Sequence, residues 1–311
     1  MHLVVIMDSP EMVLVEADTS FALMLEAQRR GHRVDHCLIS DVSLEGGRVH
    51  AWVHRVTLQE VAASPMVLSE RQYVPLDNVD IVLVRKDPPF DPPYLWLTLL
   101  LEHLRGKSLV VNDPRGLREA NEKLFACYFP NLMPETLVTS NASDIRKFVN
   151  DVGGHAVIKP IDGAAGSGVL ALGLGDPNFN AIVETATRHG CRVAMVQRYL
   201  EAVREGDKRI LLLEGEPLGA LLRVPQGGDL RSNLHVGGLA APAELDKHDL
   251  EIIEKIGPSL VERGLHFVGI DVIGGKLTEV NVTSPTGIQQ MSRLGGINLS
   301  AKVVDWLERA A

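Results

Sequence analysis

The residues best suited to do chemistry lie near the C-terminal end. In Phe267-Val-Gly-Ile-Asp-Val-Ile and Lys276-Leu-Thr-Glu-Val-Asn-Val282, the polar residues Asp271, Glu279 and Asn281 interrupt two apolar runs. Glu279 and Asn281 are two apart, so in a strand they share a face. Val268, Ile270, Val272, Val280 and Val282 are all even-numbered, and a sheet buries its apolar face as a unit. The odd-numbered Asp271, Glu279 and Asn281 then project together from the other face. If both strands bury their even-numbered residues, cross-strand partners must have an even sum. That predicts a loop of Gly274-Gly275-Lys276, with Ile273 opposite Leu277 and Asp271 opposite Glu279. Hard oxygen donors gathered in this way suit Mg²⁺, which takes one or two carboxylates together with substrate phosphate oxygens. They suit equally the solvated face of an ordinary hairpin.

A second candidate is the loop Lys159-Pro-Ile-Asp-Gly-Ala-Ala-Gly166-Ser-Gly168, which follows an apolar strand. Its small residues let backbone N–H groups approach a phosphate, although a plain glycine turn would look the same. Lys159 ends the strand as a nucleotide ligand or a snorkelling side chain. Lys123, in Asn121-Glu-Lys-Leu124, reads alone as a surface lysine. Arg209, Arg223 and Arg231 fall on or beside later strands and a long loop. Guanidinium groups there clamp phosphate or carboxylate bidentately, or are ordinary surface charge. Ser284-Pro285-Thr286 is either a turn or a pair of hydroxyls at a substrate carboxylate. No Ser/His/Asp or Cys/His constellation is legible, which weakens a hydrolase reading.

The elements that must position these residues form an α/β chain. Residues 2–7, 34–39, 80–85 and 108–111 read as strands, with a hairpin across 44–56 turning at Gly46-Gly47 and helices over 19–30 and 94–104. Alternation of this kind defines a small α/β domain at 1–120. The pattern loosens between Pro114 and Pro134. A second unit, 121–200, has strands near 155–159 and 192–197 and a helix over 178–189. A third, 201–311, has strands near 208–214 and 217–223, a helix over 246–263, the acidic strand pair at 265–282 and a terminal helix near 297–310. Residues 225–241, with Gly227, Gly228, Gly237 and Gly238 around Arg231 and Asn233, read as a long loop that serves as a lid.

With 40 acidic against 31 basic residues the net charge is −9, which argues against a general nucleic-acid binder. No window approaches the roughly 20 apolar residues of a membrane span. The N-terminal run Leu3–Met7 is too short for a signal sequence. Cys37, Cys127 and Cys191 are odd in number and far apart, so neither a disulfide framework nor a zinc cluster is expected. The reading is a cytoplasmic protein with no nucleic-acid or membrane partner.

Taken in order, the strings resemble bacterial glutathione synthetase over essentially the whole chain. They include Ser20 to Gly31, Arg85-Lys-Asp-Pro-Pro-Phe-Asp91, Asn121 to Phe125, Pro134 to Thr139, Lys159-Pro-Ile-Asp-Gly163, Gly206-Asp-Lys-Arg209, Pro225-Gln-Gly-Gly228 and Leu277-Thr-Glu-Val-Asn-Val-Thr-Ser-Pro-Thr286. The resemblance implies an ATP-grasp fold with an N-terminal preATP-grasp α/β domain. It implies ligation of glycine to γ-glutamylcysteine through an acyl phosphate, releasing ADP and phosphate. The alternative is another ATP-grasp carboxylate–amine ligase, D-alanine–D-alanine ligase-like or glutamate-adding. By motif position Asp271, Glu279 and Asn281 would hold Mg²⁺, or Mn²⁺ in its place. Lys123, Lys159 and Gly166 would contact ATP, Gln197, Tyr199 and Leu200 would form the adenine-side hinge, and Asp207 would lie near the ribose. Arg209 and Arg223 would face the transferring phosphate; Arg85, Arg231, Asn233, Ser284 and Thr286 would contact the peptide. The relatives assemble as homo-oligomers, so the same is implied here. Two departures stand out: the 162–168 loop lacks the family's earlier Gly-Gly, and Asp229-Leu-Arg-Ser-Asn233 replaces Arg-Gly-Asn.

Overall fold

A computed structural model describes residues 1–163, 166–225 and 238–311. The N-terminal part runs β1 (His2–Ile6), α1 (Thr19–Arg29), β2 (Arg33–Cys37), β3 (Val42–Glu45), β4 (Arg48–Leu58), β5 (Met66–Pro75), β6 (Ile81–Val84), α2 (Pro92–Leu101), β7 (Leu109–Val111) and α3 (Pro114–Glu119). Its strands form one sheet in the order β3-β4-β2-β1-β6-β7, with β5 also on β4. β1 is parallel to β2 and β6, and β6 to β7. β1 and β6 are apolar without alternation because each of their faces meets a helix. Leu3, Val5 and Ile81 pack with Phe21, Leu23 and Met24 of α1. Val4, Ile6 and Val82 pack with Tyr94, Leu97 and Leu101 of α2. Asp18 caps α1 by accepting from the Phe21 N–H at 2.7 Å. Asp91 caps α2 from the Tyr94 N–H at 3.0 Å, with Pro92 in the first turn where its missing N–H costs nothing.

A second sheet, in the order β10-β9-β11-β8, is built from β8 (Thr136–Thr139), β9 (His155–Pro160), β10 (Leu170–Gly173) and β11 (Ala194–Arg198). α4 (Ala142–Asp151) and α5 (Phe179–Thr187) pack on it through Ile145, Val149, Phe179 and Val183. The third sheet, β14-β13-β12-β15-β16, contains β12 (Asp207–Leu213), β13 (Glu216–Val224), β14 (Leu239–Pro242), β15 (Phe267–Ile273) and β16 (Lys276–Asn281). α6 (Lys247–Glu262), α7 (Ile288–Gly295) and α8 (Leu299–Ala310) complete the chain.

Several sequence expectations need correction. β5, a largely exposed edge strand of mixed polarity, carries no clear alternation and was not anticipated. Neither were α3, α4 and α7. The expected loop 225–241 ends early, because β14 pairs with β13 through Leu239 opposite Val224 and Ala240 opposite Arg223. Residues 226–237, which include Arg231, Asn233 and most of the expected lid, lie outside the described residues. Among the described residues no helix is long and apolar enough to cross a membrane. All three cysteines are free thiols.

Candidate active site

The acid-bearing hairpin departs from the predicted loop and keeps the predicted pair. Gly274 and Gly275, at φ 55° and 73°, form a two-residue turn with Ile273 opposite Lys276. Glycine takes this left-handed backbone without the steric cost other residues meet. In that register Asp271 would meet Thr278, but the ladder shifts between Val272 and Asp271. Thr278 is the extra residue of a bulge, and Asp271 lies opposite Glu279, Ile270 opposite Val280 and Gly269 opposite Asn281. The even-sum rule thus fails at Leu277, which is odd-numbered yet packs in the core with Ile270, Val272 and Val280. The buried Thr278 hydroxyl donates to the Asp271 carbonyl at 3.1 Å.

Asp271 does not face water. Arg209 on β12 lies directly across the ladder from it and holds it with two donors, Nη2 reaching Oδ2 at 3.0 Å. Arg223 on β13 stands opposite Asp207 and pairs with it, and its Nη2 also lies 2.9 Å from Asp271 Oδ2. All four side chains are buried. Burial alone would push the Asp271 carboxyl up, but the Arg209 and Arg223 guanidiniums more than offset it and hold the group well below the usual carboxylate range. Asp207 goes the other way, up to about 6, because burial and the neighbouring Asp271 charge outweigh the pull of Arg223. Asn281 Nδ2 is 3.4 Å from Asp271 Oδ2. The Thr286 carbonyl accepts from Arg209 Nη1 at 3.5 Å.

Glu279 joins this cluster to the second sheet. Its Oε1 is 3.7 Å from Lys123 Nζ and 4.0 Å from Lys159 Nζ. Lys123 is only 2% exposed, so the surface-lysine reading fails. Its ammonium pairs with Glu122 at 2.5 Å and donates to the Gly163 carbonyl at 2.5 Å. The two lysines differ. Burial opposes the charge of Lys123, yet Glu279 and Glu122 win and raise it; at Lys159 burial dominates and lowers it. Burial, reinforced by Glu279, raises Glu122.

Gln197 is buried on β11, where its Nε2 donates to Thr136 Oγ1 at 3.0 Å. The Tyr199 N–H donates to the His155 carbonyl at 3.2 Å. Tyr199 and Leu200 lead out of β11 toward β12, between the two sheets. Gly166 sits in the loop after β9 with φ 76°. Gly163 and Gly168 lie against Pro160, and a Cβ at Gly163 would come within 2.7 Å of the proline ring. Arg85 is buried, not poised at a surface. Nε donates to Ser20 Oγ at 3.0 Å and Nη2 to the Pro285 carbonyl at 2.9 Å, leaving Nη1 buried without a hydrogen-bond partner. Ser284 and Thr286 are half-buried in the segment directly after β16. Sequence reasoning missed Glu122, Thr278 and Asn112. No motif marks Asn112, and only its place at the end of a predicted strand could have drawn attention.

Among the described residues no three His, Cys, Asp or Glu side chains gather as a cation cage. Two carboxylates and one amide instead leave coordination positions for phosphate oxygens and water. That composition fits a divalent cation arriving with a nucleotide.

Two antiparallel sheets, one contributing a buried lysine and the other an arginine–carboxylate cluster that meets it at Glu279, frame the site, and the fold is that of the ATP-grasp ligases. Solved structures agree on the fold. The ATP-grasp ligase PsnB complexed with minimal precursor matches with a TM-score of 0.65 at 17% identity, covering 99% of each chain. The D-cycloserine synthetase DcsG matches with a TM-score of 0.66 at 14% identity, covering 98% of this chain and 99% of that one. The prokaryotic glutathione synthetase N-terminal domain matches residues 1–118 and the prokaryotic glutathione synthetase ATP-grasp domain matches residues 122–296. The glutathione synthetase of Gloeobacter violaceus is 46% identical over 99% of this chain and 96% of its own length. That of Agrobacterium fabrum is 43% identical over 97% and 95%. The chain belongs to the prokaryotic glutathione synthetase family. It is an ATP-grasp ligase of glutathione biosynthesis, using ATP and a divalent metal.

Proposed function

We propose that this enzyme joins glycine to γ-glutamylcysteine through an acyl phosphate, with Mg²⁺ as the metal. The observation that carries the reading is the convergence of Lys123, Lys159, Arg209 and Arg223 on Glu279 and Asp271, a buried cationic frame for a triphosphate beside two carboxylates. The peptide carboxylate attacks the γ-phosphorus and ADP leaves with the electrons of the broken P–O bond. The glycine amine then attacks the acyl carbon, phosphate departs, and the amine loses a proton. Asp271, Glu279 and Asn281 would hold the metal, which offsets phosphate charge. Lys123 and Lys159 hold the nucleotide phosphates. Arg209 and Arg223, already desolvated and fixed by Asp271 and Asp207, need little reorganisation to stabilise the charge in transit. Arg85 anchors the Ser284–Thr286 segment that receives the peptide. Gln197, Tyr199 and Leu200 take the adenine side and Asp207 the ribose side. The units 1–120, 121–200 and 201–311, a cytoplasmic setting and a homo-oligomeric state belong to the same proposal.

The test is ADP release across dipeptide and amine pairs, with the ligated product detected by mass. Turnover should need both γ-glutamylcysteine and glycine and yield glutathione. Turnover with D-alanine alone, and none with the dipeptide, would reject the reading.

A further inference from the structure

We propose that Asn112 is a positioning residue that fixes the metal-binding hairpin against the N-terminal sheet. It follows β7 immediately, is buried, and sends its amide across to the open end of the β15–β16 hairpin. Its Oδ1 accepts from the Phe267 N–H at 2.9 Å, and its Nδ2 donates to the carbonyls of Phe267 and Val282, each at 2.8 Å. Phe267 begins β15, four residues before Asp271, and Val282 follows Asn281 at the end of β16. One side chain thus takes both backbone groups of Phe267, as a neighbouring strand would, and ties in the second strand as well. The hairpin ladder ends at Gly269 opposite Asn281, so the amide closes the pair just beyond its last backbone bond.

The surrounding backbone makes this a seam. The Asp113 N–H donates to the Gly264 carbonyl at 3.0 Å. Gly116 lies so near residue 263 that a Cβ there would meet the Arg263 carbonyl oxygen at 2.3 Å. Arg85 adds a tie from β6 to the Pro285 carbonyl. An amide suits the site because it accepts at one atom and donates twice at the other; aspartate cannot donate and leucine can do neither. At the far end the hairpin is set by the glycine turn and the Thr278 bulge, and in the middle by the arginines on Asp271. Near the Asn281 end the Val280 N–H donates to the Glu122 carbonyl at 2.8 Å, and Asn112 supplies the tie to the end of β7. Loss of Asn112 would therefore shift Asn281 and the 283–286 segment relative to Lys123 and Lys159. Misplacement on the order of 1 Å is enough to cost about a hundredfold in rate.

The inference rests on the hairpin being the metal-binding one, and the test separates the two claims. Asn112→Ala and the milder Asn112→Ser are compared with wild type by calorimetry of ADP binding with and without Mg²⁺, by hydrogen exchange over 267–283, and by ligation kinetics. Metal-free ADP affinity should stay within about twofold, whereas the tightening caused by Mg²⁺ should shrink at least about fivefold and kcat fall about tenfold or more. Amides of 276–283 should exchange faster. In wild type the Phe267 amide should be among the slowest to exchange, a prediction that stands even if neither variant folds. Folded variants with wild-type metal-dependent tightening, or a fast-exchanging Phe267 amide in wild type, would overturn the role of Asn112. Absence of ligation by wild type would instead reject the functional reading and leave the binding and exchange results to decide the positioning.

Discussion

On β6 every residue from Ile81 to Val84 is buried and apolar. On β15 the equally buried run from Phe267 to Val272 includes Asp271, its neighbour β12 buries Asp207 and Arg209, and β13 beyond β12 buries Arg223. The first strand has helices on both faces, so burial of either face is favourable. The second has core on one face only. On the other, each charge is taken from water and the cost is offset by an opposite charge directly across the ladder, Arg209 on Asp271 and Arg223 on Asp207. The parallel sheet therefore contributes stability that is indifferent to the reaction. The five-stranded sheet spends part of its stability on charge held in place.

Three perturbations would break or sharpen this contrast. Glu279→Gln keeps the size and hydrogen-bonding ability of the side chain but removes the charge shared with Lys123 and Lys159. Ligation should fall by about a hundredfold or more while the melting temperature stays close to wild type. Steady-state ADP release with calorimetric melting checks both, and near-normal turnover would erase the distinction between the sheets. Ile81→Ala should do the reverse. It opens a cavity under α1 and should cost about 2–5 kcal/mol of stability, read by denaturant titration, with kcat unchanged at a temperature where both proteins are folded.

The smallest effect concerns a polar group inside the apolar region. His36 on β2 is buried, with Nε2 donating to the Asp8 carbonyl at 3.1 Å and Nδ1 without a partner. Burial lowers its pKa below the ordinary 6.5; His54 also lowers it, while the Asp8 bond, Asp41 and Glu11 raise it. The folded state thus keeps His36 neutral where the unfolded chain begins to bind a proton. Its contribution is full above pH 6.5 and is lost as pH falls from there toward the folded value. Melting temperature against pH should show this loss in wild type and a flatter curve in His36→Gln. Identical curves would mean His36 is not held neutral by burial.

The sequence by itself determined the apolar strands, the approximate spans of α1 and α2, and the odd-numbered face of the acid strands, because each depends on residues a few positions apart. It also placed Asp271 opposite Glu279, although by the wrong loop. A Gly-Gly pair specifies a two-residue turn locally, and only the demand that Leu277 enter the core while Glu279 leaves it requires the bulge at Thr278. The ion pair of Arg209 with Asp271 spans 62 positions, and the bonds of Asn112 span 155 and 170. No periodicity reports such distances. Lys123 shows the same limit. Nothing in Asn-Glu-Lys-Leu distinguishes a surface lysine from one that is 2% exposed, because the groups around its ammonium, the Gly163 carbonyl in the loop after β9 and Glu279 on β16, come from distant parts of the chain. Which side chains lose their water is decided when the sheets close on one another, and with it which charges must find partners.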